Sequence, residues 1–85
     1  MPQKTVTVGS AIGLHARPAA IIAEAVVEAG VPVTLSMGGG DPVDAGSALM
    51  IMTLGAEKGA QVTVQSDDEA ALAKVAELVE QDLDA

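Results

Sequence analysis

The sequence predicts an α+β domain, a four-stranded sheet with its helices packed on one face. Three observations lead there. Thr5-Val6-Thr7-Val8 and Gln61-Val62-Thr63-Val64-Gln65 alternate polar and apolar residues, the period of a strand with one buried face. Between them stand apolar runs at helical spacing, bounded by proline, serine and glycine. The interleaved order, strand, helix, strand, strand, helix, strand, helix, suits a split βαβ plan in so short a chain. With 85 residues there is no room for a second core, and a single domain over residues 1–85 is expected.

Taken in order, the first strand is expected at Thr5 to Val8, closed by Gly9 and Ser10. Pro18 belongs in the first turn of a helix, where its missing NH costs nothing, so the first helix starts at about Ala16. Ala19, Ile22, Ala23 and Val26 share one face of it and Gly30 ends it. Val31 to Met37 alternates again, with Val33, Leu35 and Met37 inward. Gly38-Gly39-Gly40-Asp41 forms a turn into a short strand at about Pro42 to Asp44, which its proline confines to a sheet edge. Ser47 reads as the N-cap of a short helix through about Thr53 that ends near Gly55. After the strand at Gln61 to Gln65, Ser66-Asp67-Asp68-Glu69 has the spacing of a capping box. The last helix carries Leu72, Val75, Ala76, Val79 and Leu83 at core spacing, with Lys74, Glu77 and Glu80 outward.

Composition excludes several classes of function. Twelve acidic residues against four basic ones give a net charge of -8, which leaves no positive surface for nucleic acid or anionic membranes. A hydrophobic content of 49% argues against disorder despite that charge. The core must be aliphatic, because the chain has no Phe, Tyr or Trp. Without cysteine there are no disulfides, thiolate metal sites or thiol nucleophiles. One histidine and scattered carboxylates, Asp41/Asp44 and Asp67/Asp68/Glu69, lack the ligand order of a zinc or calcium site, so no metal and no cofactor are expected. Serine-hydrolase and Walker-type motifs are missing. No apolar signal segment opens the chain, and a cytoplasmic monomer is expected.

The candidate site is Gly13-Leu14-His15-Ala16-Arg17-Pro18-Ala19, which contains the only histidine and the only arginine. It places His15 at the N-terminus of a helix, where the first NH groups lack intrahelical partners and the dipole attracts anions. A phosphoryl group on a His15 ring nitrogen would meet the backbone NH groups of Ala16 and Arg17, with the Arg17 guanidinium as a charge-assisted donor. A lone histidine before a helix is more often a cap or a surface residue, and a lone arginine a solvated charge.

The whole heptapeptide resembles the active-site signature of the histidine-containing phosphocarrier (HPr) family of the bacterial phosphoenolpyruvate-dependent sugar phosphotransferase system. Val43-Asp44-Ala45-Gly46-Ser47, the apolar run to Met52, and Leu54-Gly55 resemble that family's second segment. The resemblance implies an open-faced β-sandwich, mostly antiparallel, with the first and fourth strands adjacent in the middle. It further implies that His15 receives a phosphoryl group from enzyme I and passes it to sugar-specific enzyme IIA proteins, as a relay component rather than an independent catalyst. A nitrogen-related relay, or a purely regulatory interaction module of the same fold, are the alternatives.

Ala48-Leu49-Met50-Ile51-Met52 is apolar all round, either buried core or, in part, an exposed docking patch. The resemblance favours docking, with Ala48, Leu49 and Met52 facing partners beside Ala16 and Ala20. Ser47 falls where relatives carry a serine phosphorylated by a dedicated kinase, although a helix N-cap explains it equally well. The chain departs from the family pattern at Gly46, Ala48 and Ile12. Isoleucine at 12 offers no hydrogen bond near the histidine, which puts more weight on the backbone NH groups and Arg17.

Overall fold

A computed structural model describes residues 2–11, 13–38 and 40–81. Four strands and three helices follow one another as β1 (Gln3–Thr7), α1 (Ala16–Ala29), β2 (Thr34–Met37), β3 (Val43–Asp44), α2 (Ala48–Met52), β4 (Gln61–Gln65) and α3 (Glu69–Glu80). The fold class and the element order are those expected from the sequence.

The sheet runs β1-β4-β2-β3 with every pairing antiparallel. β1 and β4 are neighbours as expected, but β1 lies at an edge and the middle pair is β4 and β2. The reason is the split βαβ connection: α1 carries the chain from β1 over to β2 and leaves a one-strand gap, which β4 enters last. β3, the strand preceded by Pro42, forms the other edge.

Alternation holds along β4 and around Val6 and Leu35, whereas Met37, expected inward, is half-buried at the end of β2. Val6, Leu35, Val62 and Val64 are buried, while Thr5, Thr7 and Gln61 are exposed on the open face. There Thr5 and Thr63 pair through their hydroxyls at 3.0 Å, and Gln61 donates to Thr7 at 2.9 Å. The covered face meets Ala19, Ile22, Ala23 and Val26 of α1 and Leu72, Val75, Ala76 and Val79 of α3, all buried as expected. Each fully buried Val, Leu or Ile contributes roughly 1.5–3 kcal/mol relative to exposure. Leu83 and Ile12 lie outside the described residues.

Helix ends follow local chemistry. Gly30 ends α1 in the left-handed region at φ 70°, its NH reaching the carbonyls of Val26 and Val27. At α3 the expected capping box is corrected: Asp68, not Ser66, is the N-cap, and its carboxylate accepts from the NH groups of Ala70 at 2.9 Å and Ala71 at 3.1 Å. Ser66 is buried and otherwise engaged, donating to the Pro32 carbonyl at 3.0 Å and accepting from the Asp68 NH at 3.1 Å.

Candidate functional site

His15 is the N-cap residue of α1, in an extended conformation at φ -89° and ψ -164°. Its carbonyl accepts the NH of Ala19 at 2.9 Å, the first bond of the helical ladder. Pro18 has no NH to offer, so the NH groups of Ala16 and Arg17 are the donors of the first turn that the helix itself does not use. Pro18 is buried and Ala16, Arg17 and Ala20 are exposed, which turns the buried face of α1 inward and the site outward. His15 itself is half-buried. The Leu14 NH donates to the Ala56 carbonyl at 2.9 Å, and the Leu14 side chain enters the core. The histidine therefore stands between a helix start and the connection that leads from α2 to β4.

α2 begins at its N-cap Ser47, whose hydroxyl accepts from the Met50 NH at 3.4 Å. The preceding turn is fixed by Asp44, whose carboxylate takes the Gly46 NH at 2.8 Å. Ile51 alone of the helix is fully buried, at 0% exposure, whereas Leu49 is 69%, Met50 40% and Met52 37% exposed. A side chain on Gly46 would approach Val26 of α1, while Met52 shares a depression with His15. α2 thus runs back along α1, its C-terminal end toward the histidine. The depression, about 300 Å³, is lined by Leu14, His15, Met52, Gly55, Ala56 and Glu57. A second hollow of about 290 Å³ lies at the far end of β4, between Val31, Pro32, Thr34 and residues 65–68, away from His15.

The structure brings together what the sequence suggested: His15, Ala16, Arg17 and Ala20 at the start of α1, and Leu49 and Met52 on the adjoining helix. Ala48 is half-buried and contributes less surface. Ser47 caps its helix, as one of its two readings requires. Met50, 40% exposed, adds to the apolar surface of α2, and Val27 of α1, not singled out by the sequence, is 68% exposed. The signal for Val27 was present, since a spacing of eleven returns it to the stripe of Ala16. Glu57 was also missed; only the close approach of two loops sets it beside the histidine.

An exposed helix start with two available NH donors, a cationic side chain and an imidazole suits transient bonding of a tetrahedral oxyanion. An apolar rim without charge from residue 45 to residue 56 suits docking of a protein that carries it. A helix start offered in this way on a small open-faced sandwich suits a protein of the phosphoryl-relay class.

Comparison with known proteins is consistent with that class. The family described as PTS HPr component phosphorylation site matches residues 2–81. The chain is 45% identical to the phosphocarrier protein HPr of Streptomyces coelicolor, over 99% of this chain and 94% of that one. Among solved structures, it superposes on a phosphocarrier protein HPr from Bacillus anthracis with a TM-score of 0.84 at 31% identity, covering 92% of this chain and 95% of that one. HPr-C-His from Thermoanaerobacter tengcongensis gives a TM-score of 0.87 at 27% identity, covering 100% and 98%. The chain belongs to the HPr family, the phosphocarriers of the phosphotransferase system. Among the described residues, no helix is long and apolar enough to cross a membrane.

Proposed function

We propose that His15 accepts a phosphoryl group from phosphorylated enzyme I, charged originally by phosphoenolpyruvate, and passes it to the histidine of a sugar-specific enzyme IIA. The transfer is in line between two imidazoles: as a His15 ring nitrogen bonds to phosphorus, the bond to the donor imidazole breaks, and the reverse geometry serves the second step. The NH groups of Ala16 and Arg17 and the Arg17 guanidinium hold the three phosphoryl oxygens. Ala16, Ala20, Leu49 and Met52, with half-buried Ala48 beside them, form the docking surface. The protein works as a cytoplasmic monomeric single domain, consumed and regenerated by its partners, with no cofactor of its own. The observation that carries this reading is His15 as the N-cap of an exposed helix start beside an apolar helix.

The test is incubation with phosphoenolpyruvate, magnesium and the enzyme I of the same organism, followed by mass spectrometry and phosphorus NMR. One acid-labile phosphoryl group, absent from His15→Ala, is the expected result. No incorporation would move the function to a regulatory interaction module, and transfer only to a nitrogen-related IIA protein would move it to that relay. Phosphorylation of Ser47 by a dedicated kinase would add charge beside the apolar rim and weaken docking. A cognate kinase with ATP that leaves Ser47 unmodified removes that regulation.

A further inference from the structure

The segment that delivers His15 is tied down at both ends, and one tie involves a side chain with no role so far. At the outgoing end, Leu14 is bonded to Ala56 as described. At the incoming end, the chain leaves β1 and runs against the C-terminal end of α3. The Gly9 NH donates to the Val79 carbonyl at 3.1 Å, and the Ser10 hydroxyl donates to the Gln81 carbonyl at 3.3 Å. A Cβ on Gly9 would fall 1.8 Å from the Glu80 oxygen, so the two backbones touch. Ser10 is 0% exposed. Its own carbonyl accepts the Gly13 NH at 3.0 Å, which turns the chain toward Leu14 and His15.

These bonds run from the C-terminal end of α3 and its cap residue Gln81, through Gly9 and Ser10, to the Gly13 turn that precedes the histidine. The Val79 carbonyl, in the last turn of α3, has no partner within the helix and takes the Gly9 NH, while the carbonyl of the cap residue Gln81 takes the Ser10 hydroxyl. The hydroxyl adds a second anchor beside the Gly9 NH, so the loop is held against the end of α3 at two consecutive residues. We infer that Ser10 is a positioning residue for the His15 chemistry, setting the reach of the imidazole toward the partner's phosphoryl group through the turn it closes with Gly13. The inference rests on the carrier reading of His15.

The experiment compares the natural protein with Ser10→Ala and Ser10→Thr in single-turnover transfer from phosphorylated enzyme I, with the saturating rate and the half-saturating concentration measured separately. Thermal melting and the amide NMR spectrum establish that each variant is folded. Loss of in-line alignment is expected to lower the saturating rate of Ser10→Ala roughly tenfold. The half-saturating concentration should stay within about twofold, since Ser10 is fully buried and offers no surface to a partner. Ser10→Thr keeps the hydroxyl and should recover most of the rate. A saturating rate unchanged in folded Ser10→Ala, or a loss that Ser10→Thr does not recover, overturns the inference. So does an effect confined to the half-saturating concentration. Failure of the carrier reading looks different: the natural protein itself would take up no phosphoryl group on His15.

Discussion

Gly13 and Ala56 meet backbone to backbone: a Cβ on Gly13 would lie 2.3 Å from the Ala56 carbonyl oxygen, and Gly13 holds φ at +88°. Both the space and the dihedral exclude an L side chain at that point. Gly13→Ala is therefore expected to destabilise the protein by more than about 1 kcal/mol. It should also slow phosphoryl transfer, because relief of the clash moves Leu14 and His15 away from the α2–β4 connection. Urea unfolding and single-turnover kinetics check the two effects, and a variant normal in both would show that this approach does not hold the site.

Arg17 stands at the second position of α1, exposed, one residue beyond the first NH donor. If its guanidinium stabilises charge on the transferring group, Arg17→Ala should lower the transfer rate roughly ten- to a hundredfold, with little change in melting temperature. Arg17→Lys should restore part of the rate, since an ammonium keeps the charge but loses the planar fork. Equal rates in all three proteins would assign the oxygens to the backbone alone.

α2 separates packing from docking within five residues. Ile51 has no exposure, so Ile51→Ala should cost about 2–5 kcal/mol of stability. Leu49→Asp and Met52→Asp alter exposed side chains and should leave melting nearly unchanged while raising the concentration of enzyme I needed for half-maximal transfer. Calorimetric binding beside thermal unfolding distinguishes the two behaviours. Normal affinity in both aspartate variants would place the docking surface elsewhere.

Much of this was legible in the sequence because it rests on local rules. The period-two stretch at 61–65, the proline at 18 and the glycine at 30 each fix their own surroundings, and the elements they announce are present. The middle of the sheet was not legible, since alternation in β1 says which face is buried and not which strand lies alongside. Nor were the neighbours of His15 beyond its own helix: Ala56 and Glu57 reach it through a long-range approach that leaves no periodic trace. Exposure within α2 was undecidable for a related reason, as five apolar residues in succession carry no polar position to mark the outer face.

The start of α3 offers the sharpest test of a local rule that failed. Ser66 and Glu69 have the spacing of a capping box, yet the helix begins at Glu69 and takes its cap from Asp68. Ser66 sits at the end of β4, where burial and the Pro32 carbonyl claim its hydroxyl. Asp68→Ala removes the acceptor of two helix NH groups and should cost about 0.5–2 kcal/mol. Glu69→Ala should cost less, about 0.3–1 kcal/mol, because only its interaction with the helix dipole is lost. Ser66→Ala should cost about 0.5–1.5 kcal/mol for each bond its buried hydroxyl makes, to the Pro32 carbonyl and from the Asp68 NH. A capping box would reverse the first two: Glu69→Ala would rival Ser66→Ala, and Asp68→Ala would be close to neutral. Urea unfolding of the three single variants decides between these orders.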